Sequence, residues 1–307
     1  MIGESLQITT IRRHIAQIAR FDTHVLITGE TGTGKELAAE LLHSNSPRSS
    51  HSFVSFNCAA IPDSLIESEL FGHEKGVFTG ADSKRMGLFA AADGGTIFLD
   101  EIGEMSPSAQ SKILRVFENK QVQRLGAPRA HPVDVRIVAA TNQNLEELVA
   151  HGRFRRDLYY RLNVARVHLP PLRERRADIP QLVAHFINLF NRQMDRHVIG
   201  LEPEVHNSLR EFGWPGNVRE LKNVLEATFL AVESSMIRFS DLPASYQAKF
   251  AHMRDAPFVE REKLISMLLA TNWNKSEAAK QLHWSRMTLY RKMTKYSIGP
   301  PTLKAKA

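Results

Sequence analysis

The chain has 307 residues, which is too long for a single compact core and predicts two or three domains. Hydrophobic residues make up 43% of the chain and it has one cysteine, Cys58, so a disulfide-stapled scaffold is excluded and a reducing compartment is favoured. The net charge is +7, and residues 257–307 alone hold ten Lys and Arg against three Asp and Glu, so the basic excess belongs to the C-terminal end.

Targeting and membrane-spanning patterns are missing from the sequence. No apolar run approaches about 18 residues, and the N-terminus lacks the pattern of a signal peptide. We therefore expect a cytoplasmic protein with no membrane insertion.

Residues 1–170 alternate helical and strand signals. Ile11, Ile15 and Ile18 recur at helical spacing near the N-terminus. Five apolar runs of strand type follow along the chain, at residues 25–28, 53–56, 97–99, 135–140 and 165–169. Strands separated by helical segments predict an α/β fold with a doubly wound parallel sheet.

The first of these runs leads into a glycine-rich loop and then into a helical pattern. Backbone N–H groups of such a loop surround phosphates, the helix N-terminus adds partial positive charge, and Lys35 reaches the terminal phosphates. Glu36 occupies the position where the general pattern has Ser or Thr for magnesium, so the metal must be held from elsewhere or through water. A glycine-rich turn that happens to contain lysine is the alternative. The residues predicted to bind nucleotide are Gly29, Glu30, Thr31, Gly32, Thr33, Gly34, Lys35 and Glu36.

A second stretch, which ends in Asp100 and Glu101, supports the phosphate-binding interpretation. The apolar run before these acids is typical of a parallel strand buried on both faces, whose end delivers side chains to the ligand crevice. Asp100 is predicted to hold Mg²⁺, and Glu101 is predicted to polarise the water that attacks the γ-phosphate. An acidic turn after a core strand is the alternative, but the two motifs together predict hydrolysis of ATP or GTP.

After residue 170 the pattern becomes helical. Candidate helices lie at 180–191, 203–212 and 218–232, and each opens near a Pro or Asn start signal. We therefore predict an α/β subdomain over 1–170 and a small helical subdomain over 171–242. Residues 243–257, bracketed by two prolines, are predicted to be a linker, with a helix over part of the segment as the alternative.

Residues 258–298 have a helix-turn-helix pattern, and residues 299–307 are predicted to form a tail. A helix at 258–270 precedes a short helix at 276–282, and Ser285 is an N-cap for a basic helix over 286–295. The local positive charge favours DNA binding over the alternative, a three-helix protein-interaction bundle. The residues predicted to contact DNA bases or phosphates are Ser285, Arg286, Thr288, Arg291 and Lys292.

Several motifs together resemble the bacterial activators of sigma-54 RNA polymerase, which join an AAA+ ATPase domain to a Fis-type helix-turn-helix. These motifs are the loop GETGTGKE, the segment ELFGHEKGVFTGA at 69–81 and the segment GWPGNVREL at 213–221. The resemblance runs from about residue 2 to residue 298 and its motifs are highly specific. It implies ATP and Mg²⁺ as cofactors, and it explains Glu36, because glutamate commonly follows the P-loop lysine in that family.

The resemblance also implies that the helical subdomain at 171–242 is the lid of the AAA+ domain. It implies roles for residues at the strand ends and in this lid. Asn57 matches the asparagine that holds the catalytic glutamate in check. Thr141 and Asn142 match the first sensor of the nucleotide state, and Arg219 matches the second.

Two arginines, Arg155 and Arg161, resemble the arginine fingers that reach the nucleotide of a neighbouring subunit, and Arg156 is the nearest competitor for that role. A guanidinium brought in from the next subunit neutralises transition-state charge. The resemblance therefore implies a hexameric ring, with a dimer at rest. Surface or interface salt bridges are the alternative role for these arginines.

A glycine-flanked loop is implied to contact sigma-54. An aromatic residue at a loop tip is typical of a contact surface, and ATP turnover would raise the loop to engage its partner. The family has alanine at position 77, and valine adds bulk without removing the aromatic or the threonine, so we expect engagement to be kept. The residues of this loop are Gly76, Val77, Phe78, Thr79, Gly80 and Ala81.

The resemblance implies a sigma-54-dependent activator that binds DNA upstream of promoters and remodels the polymerase into the open complex. Most relatives carry an N-terminal sensory domain, whereas residues 2–5 already match the start of the ATPase domain, so we expect either control by a separate protein or a truncated sequence. A replication initiator or helicase loader would have no reason for the loop at 76–81. A repressor that merely kept the fold would be expected to lose Asp100, Glu101 or the arginine fingers, so both alternatives are disfavoured.

Overall fold

The computed structural model describes residues 1–77, 82–296 and 298–299, with the backbone alone over 254–259. The chain divides into two compact units, Met1–Ile237 and Arg238–Ala307. Within the described ranges, no helix is both long and apolar enough to cross a membrane.

The first unit is built on a five-stranded parallel sheet. In chain order its strands are β1 (Val25–Thr28), β2 (Phe53–Asn57), β3 (Thr96–Asp100), β4 (Arg136–Thr141) and β5 (Ala165–His168). Their spatial order is β2-β3-β4-β1-β5, and every neighbouring pair is parallel. The predicted α/β class and parallel sheet are thereby confirmed.

Helices cover both faces of this sheet, because successive strand residues point to opposite sides. Ile15 and Leu42 pack with Ile27 on one face, while Leu70 and Ile113 pack on the other. These helices are α1 (Leu6–Ala19), α2 (Lys35–Ser44), α3 (Asp63–Phe71), α4 (Leu88–Ala91), α5 (Pro107–Asn119), α6 (Leu145–Ala150) and α7 (Arg156–Leu162), with a 3₁₀ turn at Ile102–Glu104.

Two antiparallel two-stranded ribbons project from this α/β region. One pairs Gly72–His73 with Arg85–Met86, and the other pairs Gln121–Val122 with His131–Pro132. The first ribbon is the stem of the loop predicted to contact sigma-54.

The predicted lid helices are α8 (Ile179–Met194), α9 (Pro203–Glu211) and α10 (Asn217–Ala231), within three residues of the expected bounds. Two 3₁₀ turns, Leu172–Glu174 and Arg176–Asp178, lead into them. A short parallel pair, Gly200–Leu201 with Met236–Ile237, ends the first unit.

The second unit holds a 3₁₀ turn, Phe239–Asp241, and helices α11 (Ala244–Ala270), α12 (Lys275–Gln281) and α13 (Arg286–Lys295). The segment 243–257, predicted to be a linker, instead forms the first half of α11. Strong helix formers such as Ala, Gln, Lys and Met fill its first turns, and Phe250 is buried there. The helix-turn-helix pattern itself is confirmed, with Leu264, Ala278 and Leu289 in one small core.

Candidate functional site

The glycine-rich loop joins β1 to α2, as its sequence predicts. Gly34 is the N-cap of α2 in a left-handed conformation and provides no side-chain cap, so the first N–H groups of the helix stay available to an anion. Gly32 is also left-handed, and a Cβ there would lie 2.3 Å from the carbonyl oxygen of Gly216. Only glycine permits this close approach of the loop to the lid.

Lys35, the first residue of α2, is buried and paired. Its Nζ donates to the carbonyl oxygen of Gly29 at 3.2 Å and to Oε1 of Glu101 at 3.3 Å. A buried lysine needs such partners, and a phosphate oxygen offers the same kind of acceptor as the Glu101 carboxylate. The lysine is thus held at the position where terminal phosphates would arrive.

The two acids at the end of β3 have different surroundings. Asp100 is half-buried, and burial, reinforced by the neighbouring charge of Glu101, raises the pKa of its carboxyl group. Glu101 has a left-handed backbone, with φ 51°, which is a strained conformation for a residue with a side chain. Its Oε2 accepts from the backbone N–H of Asn142 at 3.1 Å, while Oε1 faces Lys35.

The residues predicted to be the first sensor lie at the end of β4, next to these acids. The side-chain amide of Asn142 donates to Oγ1 of Thr31 in the loop at 3.0 Å. Thr141 is buried and its Oγ1 accepts from the N–H of Gln143 at 3.0 Å. Thr31, Glu101 and Asn142 therefore form one continuous network across two strand ends.

Asn57 ends β2 and lies opposite Asp100 in the sheet register. Its side-chain oxygen accepts from the N–H of Ala59 at 2.9 Å, so in this conformation the amide caps its own turn. The predicted restraint on Glu101 requires this side chain to turn toward the acid.

Lid residues close the other side of the loop, and the sequence prediction missed most of them. The backbone N–H of Arg219 lies 3.4 Å from the carbonyl oxygen of Gly32, and its side chain is exposed. Asn217, which the sequence prediction did not single out, donates to the carbonyl oxygen of Thr31 at 3.0 Å. Arg173 donates two hydrogen bonds to the carboxylate of Glu30, and Arg175 donates one to the carbonyl oxygen of Thr33. The arginine-rich run at 172–176 is the sequence signal that could have identified these two residues.

The predicted fingers lie at the two ends of α7 and are exposed. Arg155 holds the carboxylate of Asp157 through two hydrogen bonds of 3.0 and 2.7 Å, and its third nitrogen donates to Ser111 at 3.2 Å. Among the described residues, neither Arg155 nor Arg161 forms a hydrogen bond or ion pair with the P-loop. Their side chains are therefore free of their own subunit's nucleotide site.

Of the loop predicted to contact sigma-54, Gly76 and Val77 are described, and Phe78, Thr79, Gly80 and Ala81 lie outside the described residues. The stem is tied to the second ribbon, since Glu74 pairs with Nε of Arg124 at 2.7 Å. Val77 fills the space above Gly126, where a Cβ would lie 2.3 Å from its Cγ2.

The basic helix α13 begins at the predicted cap. The Oγ of Ser285 accepts from the N–H of Thr288 at 3.0 Å. Arg286 and Arg291 are exposed, whereas Lys292 pairs with Glu260 of α11 and lies 4.9 Å from the ring centre of Trp284.

Family models match almost the whole chain. Residues 1–168 match the sigma-54 interaction domain, residues 173–257 the AAA+ ATPase lid domain, and residues 256–296 the bacterial regulatory protein, Fis family. The chain belongs to the family of sigma-54-dependent transcriptional activators. This confirms the resemblance on which the sequence prediction rests.

Curated relatives align with this activator along nearly all of its length. The transcriptional regulatory protein ZraR of Salmonella typhimurium is 45% identical over 301 residues, covering 96% of this chain and 68% of ZraR. The regulator NtrC of Escherichia coli is 44% identical, covering 95% and 69%. The nitrogen fixation protein VnfA of Azotobacter vinelandii is 45% identical, covering 97% and 59%.

Solved structures support the same family. NtrX from Brucella abortus in complex with ADP has a TM-score of 0.78 at 32% identity, covering 97% of this chain and 70% of NtrX. The same protein in complex with ATP has a TM-score of 0.73 at 34% identity, covering 97% and 69%. The activator is therefore an AAA+ ATPase with a helix-turn-helix, and the individual residue roles stay predictions.

Proposed function

We propose that the activator binds double-stranded DNA upstream of promoters and uses ATP hydrolysis in a hexameric ring to remodel sigma-54 RNA polymerase into the open promoter complex. The observation that carries the proposal is the network of Lys35, Glu101, Asn142 and Thr31, which joins the P-loop to two strand ends. Such a network changes its partners when a γ-phosphate enters.

ATP binds with its phosphates in the loop Gly29 to Glu36. Lys35 exchanges the Glu101 carboxylate for a phosphate oxygen, and the released Glu101 orients and polarises the attacking water. The Asn142 side chain already lies on the loop, so it and Thr141 sense whether the γ-phosphate is present.

The residues present fit a magnesium ion that arrives with ATP and neutralises charge on the phosphates. Asp100 would hold the ion, because a cation relieves the burial and repulsion that raise the pKa of this carboxyl group. No cluster of three potential metal ligands occurs in the described part of the chain. In the proposed site the ion would be held mostly by phosphates, water and the Asp100 carboxylate.

Catalysis is shared between subunits of the ring. Arg155 and Arg161 are exposed on α7, and in a neighbouring subunit they reach the phosphates bound by this one. Arg219, at the base of the lid, reports the nucleotide state to the lid helices. A dimer at rest would keep the fingers away from the nucleotide.

ATP hydrolysis changes the position of the loop Gly76 to Ala81, and this loop contacts sigma-54. The stem of the loop is joined to the ribbon at 121–132. DNA is read by α13, with Arg286 and Thr288 near base edges and Arg291 on phosphate. Lys292 has a smaller part, because Glu260 already holds it.

The activator works in the cytoplasm, where its DNA and polymerase are. A separate regulatory protein is a proposed source of control. The use of a single cysteine, Cys58, supports a reducing compartment.

The test is open-complex formation on a supercoiled promoter, with sigma-54 polymerase compared with sigma-70 polymerase. We expect ATP-dependent opening with sigma-54 polymerase only, and none from the variant Glu101→Gln. ATP hydrolysis without promoter opening would favour an initiator or loader, and DNA binding without hydrolysis would favour a repressor.

A further inference from the structure

The lid side of the molecule holds the phosphate-binding loop residue by residue. Asn217 Nδ2 donates to the carbonyl oxygen of Thr31 at 3.0 Å. The backbone N–H of Val218 donates to the carbonyl oxygen of Gly32 at 3.0 Å. Arg175 Nη2 donates to the carbonyl oxygen of Thr33 at 2.9 Å. Three successive carbonyl groups of the loop are therefore directed at donors from the lid segment.

This arrangement fixes the direction of the loop's N–H groups. In a trans peptide the N–H points opposite to the carbonyl of the same unit, so the N–H groups of Gly32 and Gly34 point away from Asn217 and Arg175. In the part of the chain that the structure describes, these two N–H groups have no acceptor. They are available to an anion because the lid occupies the carbonyl side.

The loop also carries a negative charge of its own. Arg173 holds the carboxylate of Glu30 through two hydrogen bonds, of 2.8 and 2.6 Å, and Asn217 adds a third at 3.2 Å. The guanidinium lowers the pKa of Glu30 to about 2, so this group is ionised at neutral pH. Without Arg173, an uncompensated carboxylate would stand in a loop that must accept several phosphate charges.

We propose that Arg173 is a positioning residue for ATP binding: it neutralises Glu30 and, with Arg175 and Asn217, anchors the loop to the base of the lid. Arg175 supports this, because its side chain is buried and its contact with Thr33 is a charge-assisted hydrogen bond. Nucleotide affinity then depends on the lid segment as well as on the loop itself. The proposal rests on the ATPase function.

The test measures the affinity for a fluorescent ATP analogue in Arg173→Gln and in the double variant Arg173→Gln/Glu30→Gln. We expect Arg173→Gln to bind about tenfold more weakly than the parent at low salt, and the loss to shrink as salt rises. The double variant recovers to within about threefold of the parent, because it contains no bare carboxylate. A purely structural role for the pair predicts neither the recovery nor the salt dependence.

The matched control is Arg261→Gln, since the Arg261–Glu262 pair has a similar exposure and lies in the other unit. Parent-like affinity of Arg173→Gln would overturn the proposal, and so would a double variant as weak as the single one, in a protein whose parent and control bind ATP. If Arg173→Gln fails to fold, Arg173→Lys replaces it. Parent-like affinity of Arg173→Lys for the ATP analogue at low salt supports charge neutralisation, whereas a tenfold loss of affinity contradicts it. Failure of the parent to bind ATP would count against the ATPase function instead.

Discussion

The nucleotide site and the helix-turn-helix each contain a lysine–glutamate ion pair. The first is Lys35–Glu101 and the second is Lys292–Glu260. Each joins residues that are far apart in the chain and places a lysine where an anionic ligand is expected. The first pair is more buried, with exposures of 6% and 16% against 21% and 30% for the second. We therefore expect the two lysines to differ in how readily each exchanges its glutamate partner for a phosphate.

The surroundings of the pairs explain the difference. Lys35 also bonds a backbone carbonyl, and Glu101 bonds a backbone N–H, so both are fixed by the ends of strands. Lys292 is held by the side chains of Glu260 and Trp284. We infer that Lys35 is kept ready for a ligand, whereas Lys292 serves mainly the packing of its own domain.

The largest effect on ATP binding is expected from Lys35→Ala. Loss of a buried, charge-assisted contact to phosphate should weaken ATP binding by roughly 100-fold, equivalent to about 3 kcal/mol. Calorimetric titration with ATP measures it, and Lys120→Ala, which removes an exposed lysine paired with Asp134, is the control. Unchanged affinity of Lys35→Ala would remove the distinction between the two pairs.

Glu101→Gln should separate binding from chemistry. The variant keeps the shape of the side chain but cannot accept a proton from water, so ATP turnover should fall by about 100-fold or more while ATP still binds. Phosphate release measures turnover, and Glu104→Gln in the following 3₁₀ turn is the matched control. Normal hydrolysis by Glu101→Gln would move the role to another acid.

Asp100→Asn should impair ATP hydrolysis but raise the stability of the folded protein, and this change in stability should be smaller than the effects above. Because burial raises the pKa of this carboxyl group, the folded protein binds its proton more tightly than the unfolded chain does, and ionisation costs stability at neutral pH. The variant without nucleotide should therefore be more stable at pH 7 than the parent, although it hydrolyses ATP poorly.

The sign of this effect can be checked by pH. The advantage of Asp100→Asn should shrink as pH falls through the raised pKa and vanish below about 4, where the parent carboxyl is protonated in both states. Melting temperatures of the two proteins from pH 7.5 down to the lowest tolerated pH measure it. An advantage that stays constant with pH would point to packing rather than charge.

Features that depend on local pattern were predictable from the sequence. Apolar periodicity predicts the sheet. The glycines before Lys35 predict the loop, and the position of Ser285 before a helical pattern predicts the helix cap. Family motifs added the predicted sensors and arginine fingers, whose chemistry no periodicity reveals.

Partnerships between distant residues were not predictable in this way. The Glu30–Arg173 and Glu260–Lys292 pairs join segments 143 and 32 residues apart, and nothing local to either residue names its partner. The linker predicted at 243–257 was wrong, because Pro243 is compatible with the start of a helix and the residues after it are mostly strong helix formers.

The smallest effect is expected from Lys292→Ala, and its size decides whether the comparison holds. Each phosphate contact steepens the salt dependence of duplex binding by about 0.9 in log–log slope. Arg291→Ala should lower the slope by about that amount on a random-sequence duplex, whereas Lys292→Ala should leave it unchanged and lower the stability of the unit by less than about 1 kcal/mol. Salt titrations of duplex binding and thermal melts measure both quantities.

Glu260→Gln sharpens the same comparison, because it removes the acid and keeps the lysine. Freed from its partner, Lys292 should become able to reach phosphate, so the slope of Glu260→Gln should rise by up to about 0.9 relative to the parent. In the proposed nucleotide site we expect the ligand to displace the acid unaided, because a charged phosphate chain competes at close range with a single carboxylate. If Lys292→Ala lowered the slope as much as Arg291→Ala does, DNA would displace Glu260 in the same manner, and the two pairs would work by one mechanism.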